Sequence, residues 1–165
     1  MENDPKQNGT FFRFEDLRVY HKALDYIDWV YNTVGLFPEN HSRELAKKFI
    51  NSAHAIAFYI AEGSSRNKNQ FIYYLKMAKS AVRECVVFTS VAEKQNLLTE
   101  VLVDESRNEL MELTKMIGAL IGSLQKPNPR YKGKNGGKHN DADEYSYEEF
   151  DDNYAPADLY GSKRY

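Results

Sequence analysis

Four stretches of the chain repeat apolar residues every three or four positions, which is the spacing that lines one side of an α-helix. The first runs from position 17 to 34 and the last from about 100 to 126. Between them lie two stretches separated only by a short segment rich in glycine and serine. The apolar rows expected to face the core are Leu17, Tyr20, Leu24, Ile27, Tyr31, Val34; Leu45, Phe49, Ile56, Ile60; Phe71, Leu75, Ala78, Val82, Cys85; and Leu110, Leu113, Ile117, Leu120, Leu124.

Glycines mark the predicted ends of the first two helices. Gly35 and Gly63 are each expected just past a helix end, in the left-handed conformation that glycine enters without steric strain. Glu15 and Asp16 are expected in the first turn of the first helix, where negative charge complements the helix dipole. The second helix is expected to begin near residue 42 and the third to end near residue 96. Ser64, Ser65 and Asn67 are candidates to cap the third helix.

Four helices joined by short connections predict an all-α fold, an up-down-up-down antiparallel four-helix bundle. No segment alternates between apolar and polar residues, so no sheet is expected. We expect residues 1–13 to form a flexible N-terminus and residues 14–126 to form the bundle. Residues 127–165 have few large aliphatic side chains and carry charge in blocks, so they are expected to be a disordered, Tyr- and Gly-containing tail.

The two middle helices contain more apolar surface than one bundle needs. Residues 55–61 are apolar around the whole helix, and the third helix widens its apolar face near its end. A helix that is apolar on all sides is buried on all sides. We therefore expect a homo-oligomer, with an interface formed by Phe58, Tyr59, Val87, Phe88 and Val91.

The composition is that of a soluble protein, with 42% apolar and 28% charged residues. No apolar run approaches the roughly 20 residues that cross a bilayer, and the start of the chain lacks the features of a signal peptide. The expected location is the cytoplasm, with no membrane partner. Cys85 is the single cysteine and lies on an apolar row, so we expect a buried thiol that forms neither a disulfide nor a metal site.

No cofactor or catalytic activity is expected. Carboxylate-bridged metal pairs in bundles need a glutamate three positions before a histidine, and none of the four histidines has one. Glu62 and Glu84 lie close to the apolar rows of the central hairpin. An acid-base pair is one interpretation of these two carboxylates, and a structural role that fixes the turn with Gly63 is the more common one. The expected partner of Glu62 is either Arg66 or a backbone N–H of the following turn.

Charge is concentrated on the middle hairpin. Between positions 43 and 83 there are two glutamates and eight basic residues: Arg43, Lys47, Lys48, Arg66, Lys68, Lys76, Lys79 and Arg83. A solvated basic face is the usual reason for such a pattern. Repeated around an oligomer, however, it would attract nucleic acid through phosphate contacts. Tyr73 and Tyr74 are candidates to stack on unpaired bases, with core packing as the alternative.

These residues resemble a known family, the four helix bundle proteins, also called 23S rRNA intervening-sequence proteins. The resemblance lies in Phe14-Glu15-Asp16-Leu17, in Ile60-Ala61-Glu62-Gly63 with Arg66, and in the third-helix positions Phe71, Leu75, Ala78 and Glu84. It extends from about residue 14 to residue 124.

The resemblance implies a bacterial bundle protein that assembles as a ring, typically a homopentamer, without catalytic residues. Some family members are encoded within intervening sequences of large-subunit rRNA genes. A related branch comprises accessory proteins of diversity-generating retroelements, which bind nucleic acid and a reverse transcriptase. The expected partners are therefore RNA or DNA, or a reverse transcriptase or other protein. The main alternative is a protein-protein scaffold whose basic face is merely solvated.

The C-terminal tail carries a second hypothesis. Its acidic residues between positions 141 and 152 are complementary in charge to the basic hairpin. The tail would then compete with nucleic acid, and deleting residues 127–165 would strengthen binding.

Overall fold

The computed structural model describes residues 11–126, and the predictions for residues 1–10 and for the tail lie outside this part of the chain. A short 3-10 helix, Arg13–Asp16, precedes α1 (Arg18–Val34), α2 (Glu39–Ser64), α3 (Lys68–Lys94) and α4 (Glu100–Gln125). Each of the four helices packs against the two beside it, and α2 packs most extensively against α3. The predicted up-down-up-down four-helix bundle is confirmed, and residues 11–126 contain no strand.

The apolar row predicted for α1 is confirmed in part, since Leu17, Tyr20, Ile27 and Val34 are partly buried against the core. The residues buried on α1 are Val19, Ala23, Tyr26, Val30 and Thr33. The predicted Leu24 and Tyr31 are instead exposed to solvent. The most buried side of α1 therefore includes a small residue, Ala23, and a polar one, Tyr26, whose hydroxyl has a partner inside the core.

Two glycines do not occupy the left-handed conformation that was expected. Gly35 has φ −62°, and Gly63 lies within the last turn of α2 with no positive φ. Gly63 serves packing instead. A Cβ atom there would lie 2.7 Å from Cβ of Tyr74 and 2.8 Å from Cδ2 of Phe71. Only a residue without a side chain lets α2 and α3 approach this closely beside their turn.

The helix ends are fixed by side chains and by one left-handed residue. The Asn67 side chain caps α3 by accepting a hydrogen bond from the Gln70 amide at 3.0 Å. The hydroxyls predicted as further caps act at the other helix: Ser64 donates to Ala61 O and Ser65 to Glu62 O at the end of α2.

The end of α3 is a Schellman motif. Asn96 has φ 56°, its amide bonds to Glu93 O at 2.9 Å, and the Leu97 amide bonds to Ala92 O at 2.8 Å.

Glu15 and Asp16 lie in the 3-10 helix, so the first turn of α1 contains no acidic residue, contrary to expectation.

A row of aromatic rings in contact anchors this 3-10 helix to α1. The rings of Phe12 and Phe14 stack with centroids 5.8 Å apart, and Phe14 meets Tyr20 edge-on at 5.0 Å. The ring of His21 donates from Nε2 to Glu15 O at 2.6 Å.

A chain of hydroxyls crosses the core between α1, α4 and α3. The Tyr26 hydroxyl lies 2.9 Å from Ser106 Oγ, which lies 2.7 Å from Thr89 Oγ1, and Thr89 donates to Cys85 O at 2.9 Å. Each hydroxyl has one proton to donate. Since Thr89 gives its proton to the carbonyl, Ser106 donates to Thr89 and Tyr26 donates to Ser106. The order of donors is therefore fixed from α1 through α4 to α3.

Contacts near the surface tie α1 to α4. Lys22 Nζ lies 2.7 Å from a carboxylate oxygen of Glu109 and 2.7 Å from one of Glu112. These hydrogen bonds raise the pKa of Lys22 above its ordinary value.

Farther along α4, Gly118 and Gly122 have no atom within 4 Å of where a Cβ would lie.

Candidate nucleic-acid interface

The basic residues on α2 are solvent-exposed. Arg43 and Lys47 lie one helical turn apart on the same face, and Lys48 extends the charge around the helix. All three lie toward the end of α2 that adjoins the connection from α1. They therefore form a basic group near one end of the bundle, which we call the α2 cluster.

The other five predicted phosphate contacts are spread along α3 and its preceding turn. Arg66, Lys68, Lys76 and Arg83 are exposed, whereas Lys79 is only 9% exposed. About 25 Å of helix separates Lys47 from the end of α2, more than the Debye length of about 8 Å at physiological salt. The eight residues therefore line the hairpin from end to end and do not form one patch. Lys79 is the least accessible of them.

Glu62 and Arg66 form an ion pair across the turn between α2 and α3, as predicted. Arg66 donates from Nε to Glu62 Oε1 at 2.9 Å and from Nη2 to the same oxygen. Hydrogen bonding to Glu62 raises the pKa of Arg66 above its ordinary value. Both side chains are about half exposed, so the pair adds little to stability and instead orients the guanidinium at the turn.

Glu84 has a different partner. Ser52 donates its hydroxyl to Glu84 Oε2 at 2.6 Å, which joins α2 to α3 near mid-helix. Ser52 and Glu62 are ten residues apart on α2, an axial separation of about 15 Å. The structure therefore places Glu62 and Glu84 in two separate interactions. Within residues 11–126, no group of histidine, cysteine and acidic side chains is arranged to hold a metal ion.

Cys85 is buried, as expected from its position on the apolar row. Burial raises the pKa of its thiol to about 12. The thiolate, which is the reactive form, is therefore scarce at neutral pH.

The five residues predicted to form an oligomer interface divide into two groups. Phe58 and Val87 are 68% and 58% exposed, and Val91 is also exposed. Tyr59 and Phe88 are partly buried: Tyr59 lies 6.3 Å from the ring of Tyr74, and Phe88 stacks on Phe49 at 5.8 Å. The hairpin thus presents large apolar side chains to solvent on both helices.

A pocket of about 780 Å³ lies between the 3-10 helix and the last turns of α2. Its apolar walls include Phe58 and two exposed rings that precede α1, and its polar walls include the Glu62 ion pair. The residues that line it are Phe11, Phe12, Arg13, Phe14, Phe58, Ala61, Glu62, Ser64, Ser65 and Arg66.

Sequence reasoning did not identify this pocket. Phe11, Phe12 and Arg13 were assigned to a flexible N-terminus, whereas the structure places them at the pocket wall. The run Phe-Phe-Arg-Phe at positions 11–14 was the available signal, because three phenylalanines around one arginine are unusual in a flexible segment.

Comparison with known proteins places these features in context. The family model described as 23S rRNA-intervening sequence protein matches residues 15–119. A crystal structure of a protein of unknown function from the S23 ribosomal protein family of Bacteroides thetaiotaomicron VPI-5482 is similar, with a TM-score of 0.59 and 20% identity. That match covers 63% of this chain and 95% of the other, and at this identity it supports the fold. No curated protein matches the chain. Within residues 11–126, no helix is both long and apolar enough to cross a membrane.

Proposed function

The chain belongs to the family of 23S rRNA-intervening sequence proteins, and on that premise we propose that it is a non-catalytic, RNA-associated accessory protein. It acts as a homo-oligomeric ring, and the exposed basic residues of α2 and α3 contact phosphates with little sequence preference. The observation that carries the proposal is the α2 cluster, because its three cations are solvent-exposed and adjacent.

The electrostatic part of the proposal is tested with matched charge variants. The variant Lys47→Gln/Lys48→Gln removes two cations from the α2 cluster, and the control Lys115→Gln/Lys126→Gln removes two exposed cations on α4 and at its end. We expect single-stranded RNA to bind with an affinity that falls steeply as salt rises. The slope of log association constant against log salt concentration is negative. The first variant should make it shallower by about 1.4, since each lost phosphate contact contributes about 0.7. The control should leave the slope unchanged.

Two results would end this proposal. The absence of RNA binding by the original protein at low salt would leave the scaffold alternative, with the basic face merely solvated. An equal loss of slope in both double variants would show that net charge, and not the α2 cluster, determines binding.

The oligomeric part of the proposal rests on the exposed valines of α3, Val87 and Val91, which lie outside the pocket that contains Phe58. Val87 on α3 is 58% exposed, and Val101 on α4 is 66% exposed, which makes the two valines a matched pair. We expect light scattering to give a multiple of the 19.1 kDa chain, with five copies expected from the family resemblance. Val87→Glu should lower the mass, and Val101→Glu should not. A monomer at micromolar concentration would exclude the ring.

A further inference from the structure

The pocket beside the 3-10 helix combines flat apolar rings with charges. Phe11, Phe12 and Phe58 are 92%, 54% and 68% exposed, so water covers much of each ring. Arg13 and Arg66 lie on the same walls. An apolar surface with two guanidiniums at its edge matches a ligand that has flat aromatic faces and negative charge on one molecule.

We infer that this pocket binds unpaired nucleobases of single-stranded RNA, with the bases against the phenylalanine rings and the backbone phosphates near Arg13 and Arg66. The inference rests on the proposed RNA association and adds a distinct site to it. The α2 cluster contacts only the phosphates of the RNA backbone, whereas the pocket requires unpaired bases whose faces are free to stack.

The size and rigidity of the pocket support this assignment. Its volume of about 780 Å³ is within the range of small-molecule sites, so a nucleotide fits inside. Its 3-10 helix wall is held in place by the stacked pair Phe12 and Phe14 and by the edge contact of Phe14 with Tyr20. The opposite ring, Phe58, projects from a regular turn of α2. Walls already fixed before binding reduce the ordering cost that a ligand must offset.

The polar groups of the pocket favour a nucleobase over an aliphatic peptide. Both hydrogen bonds from Arg66 end on Oε1 of Glu62, so Oε2 can accept a hydrogen bond from a base amino group. The hydroxyls of Ser64 and Ser65 donate to carbonyls of α2, and their oxygens keep lone pairs as acceptors. An apolar peptide would offer no partner to these acceptors or to the Arg13 guanidinium, which is unfavourable.

The test separates stacking from simple hydrophobic contact. Phe58→Leu keeps an apolar side chain but removes the flat ring, and Phe58→Tyr keeps the ring. Dissociation constants are measured by fluorescence anisotropy for one mixed-sequence RNA, as a single strand and annealed to its complement. We expect Phe58→Leu to weaken single-strand binding about tenfold, which is within the range for losing one stacked base. Phe58→Tyr should stay within about twofold, and duplex binding should not change.

Two controls locate the effect. The slope of log K against log salt should be unchanged in Phe58→Leu, because no phosphate contact is lost. Tyr31→Leu removes an exposed ring on α1 outside the pocket, and it should have no effect on single-strand binding. A loss in Tyr73→Leu as large as that in Phe58→Leu would assign the stacking to α3 and overturn the inference.

The remaining outcomes distinguish this inference from the proposed function. If Phe58→Leu binds single strands normally while Lys47→Gln/Lys48→Gln weakens both forms of RNA, the inference is wrong and the proposed function stands. If Phe58→Leu changes the molar mass measured by light scattering, the pocket is an interface between copies and the inference is overturned. If the original protein binds neither form of RNA at low salt, both fail together.

Discussion

The buried hydroxyl chain allows a sharp prediction about stability. Tyr26 is fully buried and donates to Ser106, which donates to Thr89. Tyr26→Phe removes the first donor of the chain. Ser106 then accepts no hydrogen bond from α1, but it still donates to Thr89. The expected loss in free energy of unfolding is about 1 kcal/mol, the usual net contribution of one hydrogen bond.

Ser106→Ala should cost more than Tyr26→Phe, although it removes a single oxygen. It takes away the acceptor of Tyr26 and the donor to Thr89 at once. The Tyr26 hydroxyl is then a buried donor without a partner, and stranding such a group costs about 1–3 kcal/mol. We expect a total loss of about 2–3 kcal/mol for Ser106→Ala.

The double variant Tyr26→Phe/Ser106→Ala makes the argument falsifiable. Once Ser106 has been replaced, removing the stranded tyrosine hydroxyl should cost nothing or restore stability. The coupling free energy between the two positions should therefore be about 1 kcal/mol or more. Urea unfolding at one fixed protomer concentration measures it, because assembly would otherwise shift the midpoint.

Tyr31→Phe is the matched control for the loss of a tyrosine hydroxyl, because Tyr31 is exposed and lies 3.4 Å from His54 Nε2. Its effect should stay within about 0.5 kcal/mol. Additive losses at Tyr26 and Ser106, with no coupling, would show that the hydrogen bond between them contributes nothing to stability. A loss in Tyr26→Phe as large as that in Ser106→Ala would refute the assigned order of donors, because the reversed order strands the Ser106 proton when the tyrosine hydroxyl is removed.

Four further predictions concern packing, charge and the tail. Gly63→Ala should lower the free energy of unfolding by about 1–3 kcal/mol because α2 and α3 must move apart, whereas Gly118→Ala, which meets open space, should raise it by up to about 1 kcal/mol in the same urea assay. Burial raises the pKa of Cys85 to about 12, so from about pH 9 the thiol ionises only in the unfolded chain. Stability should then fall with rising pH by about 1.4 kcal/mol per pH unit, and Cys85→Ala should flatten that slope. Lys22→Met should cost about 1 kcal/mol below pH 10, less at high salt, and its effect should fade as pH rises further because the pKa of Lys22 is raised. Removing residues 127–165 should strengthen RNA binding in the anisotropy assay, and an unchanged affinity would reject the proposed competition.

The architecture followed from apolar spacing, because three of the four helices bury the residues that their spacing indicated. On α1 the spacing was wrong at two positions, since Leu24 and Tyr31 continue the apolar row and yet are exposed. Tyr26 is fully buried instead, and its hydroxyl pairs with Ser106, which is 80 positions away in the chain. Spacing along one helix carries no information about such a partner.

Gly63 shows a second limit of reasoning from local sequence. A glycine near a helix end predicts a left-handed residue, and here the same glycine serves the approach of Phe71 and Tyr74 on the neighbouring helix. The basic residues were easier to anticipate, since most of them are exposed as expected. The distribution of these basic residues along the hairpin was harder to predict, because it depends on the length and direction of α2 and α3. The Glu62 and Arg66 pair was predictable, as both residues border one turn.

The two glycines of α4 have a consequence for motion. Glycine has a lower helix propensity than alanine, so Gly118 and Gly122 each weaken the helix locally. No neighbouring atom lies within 4 Å of where a Cβ would be, so packing does not require a glycine at either position. The final turns of α4 should therefore open locally more often than its middle turns, without global unfolding. In hydrogen–deuterium exchange, the amide hydrogens that follow Gly118 should exchange faster than those near Leu110 and Leu113 on the same helix.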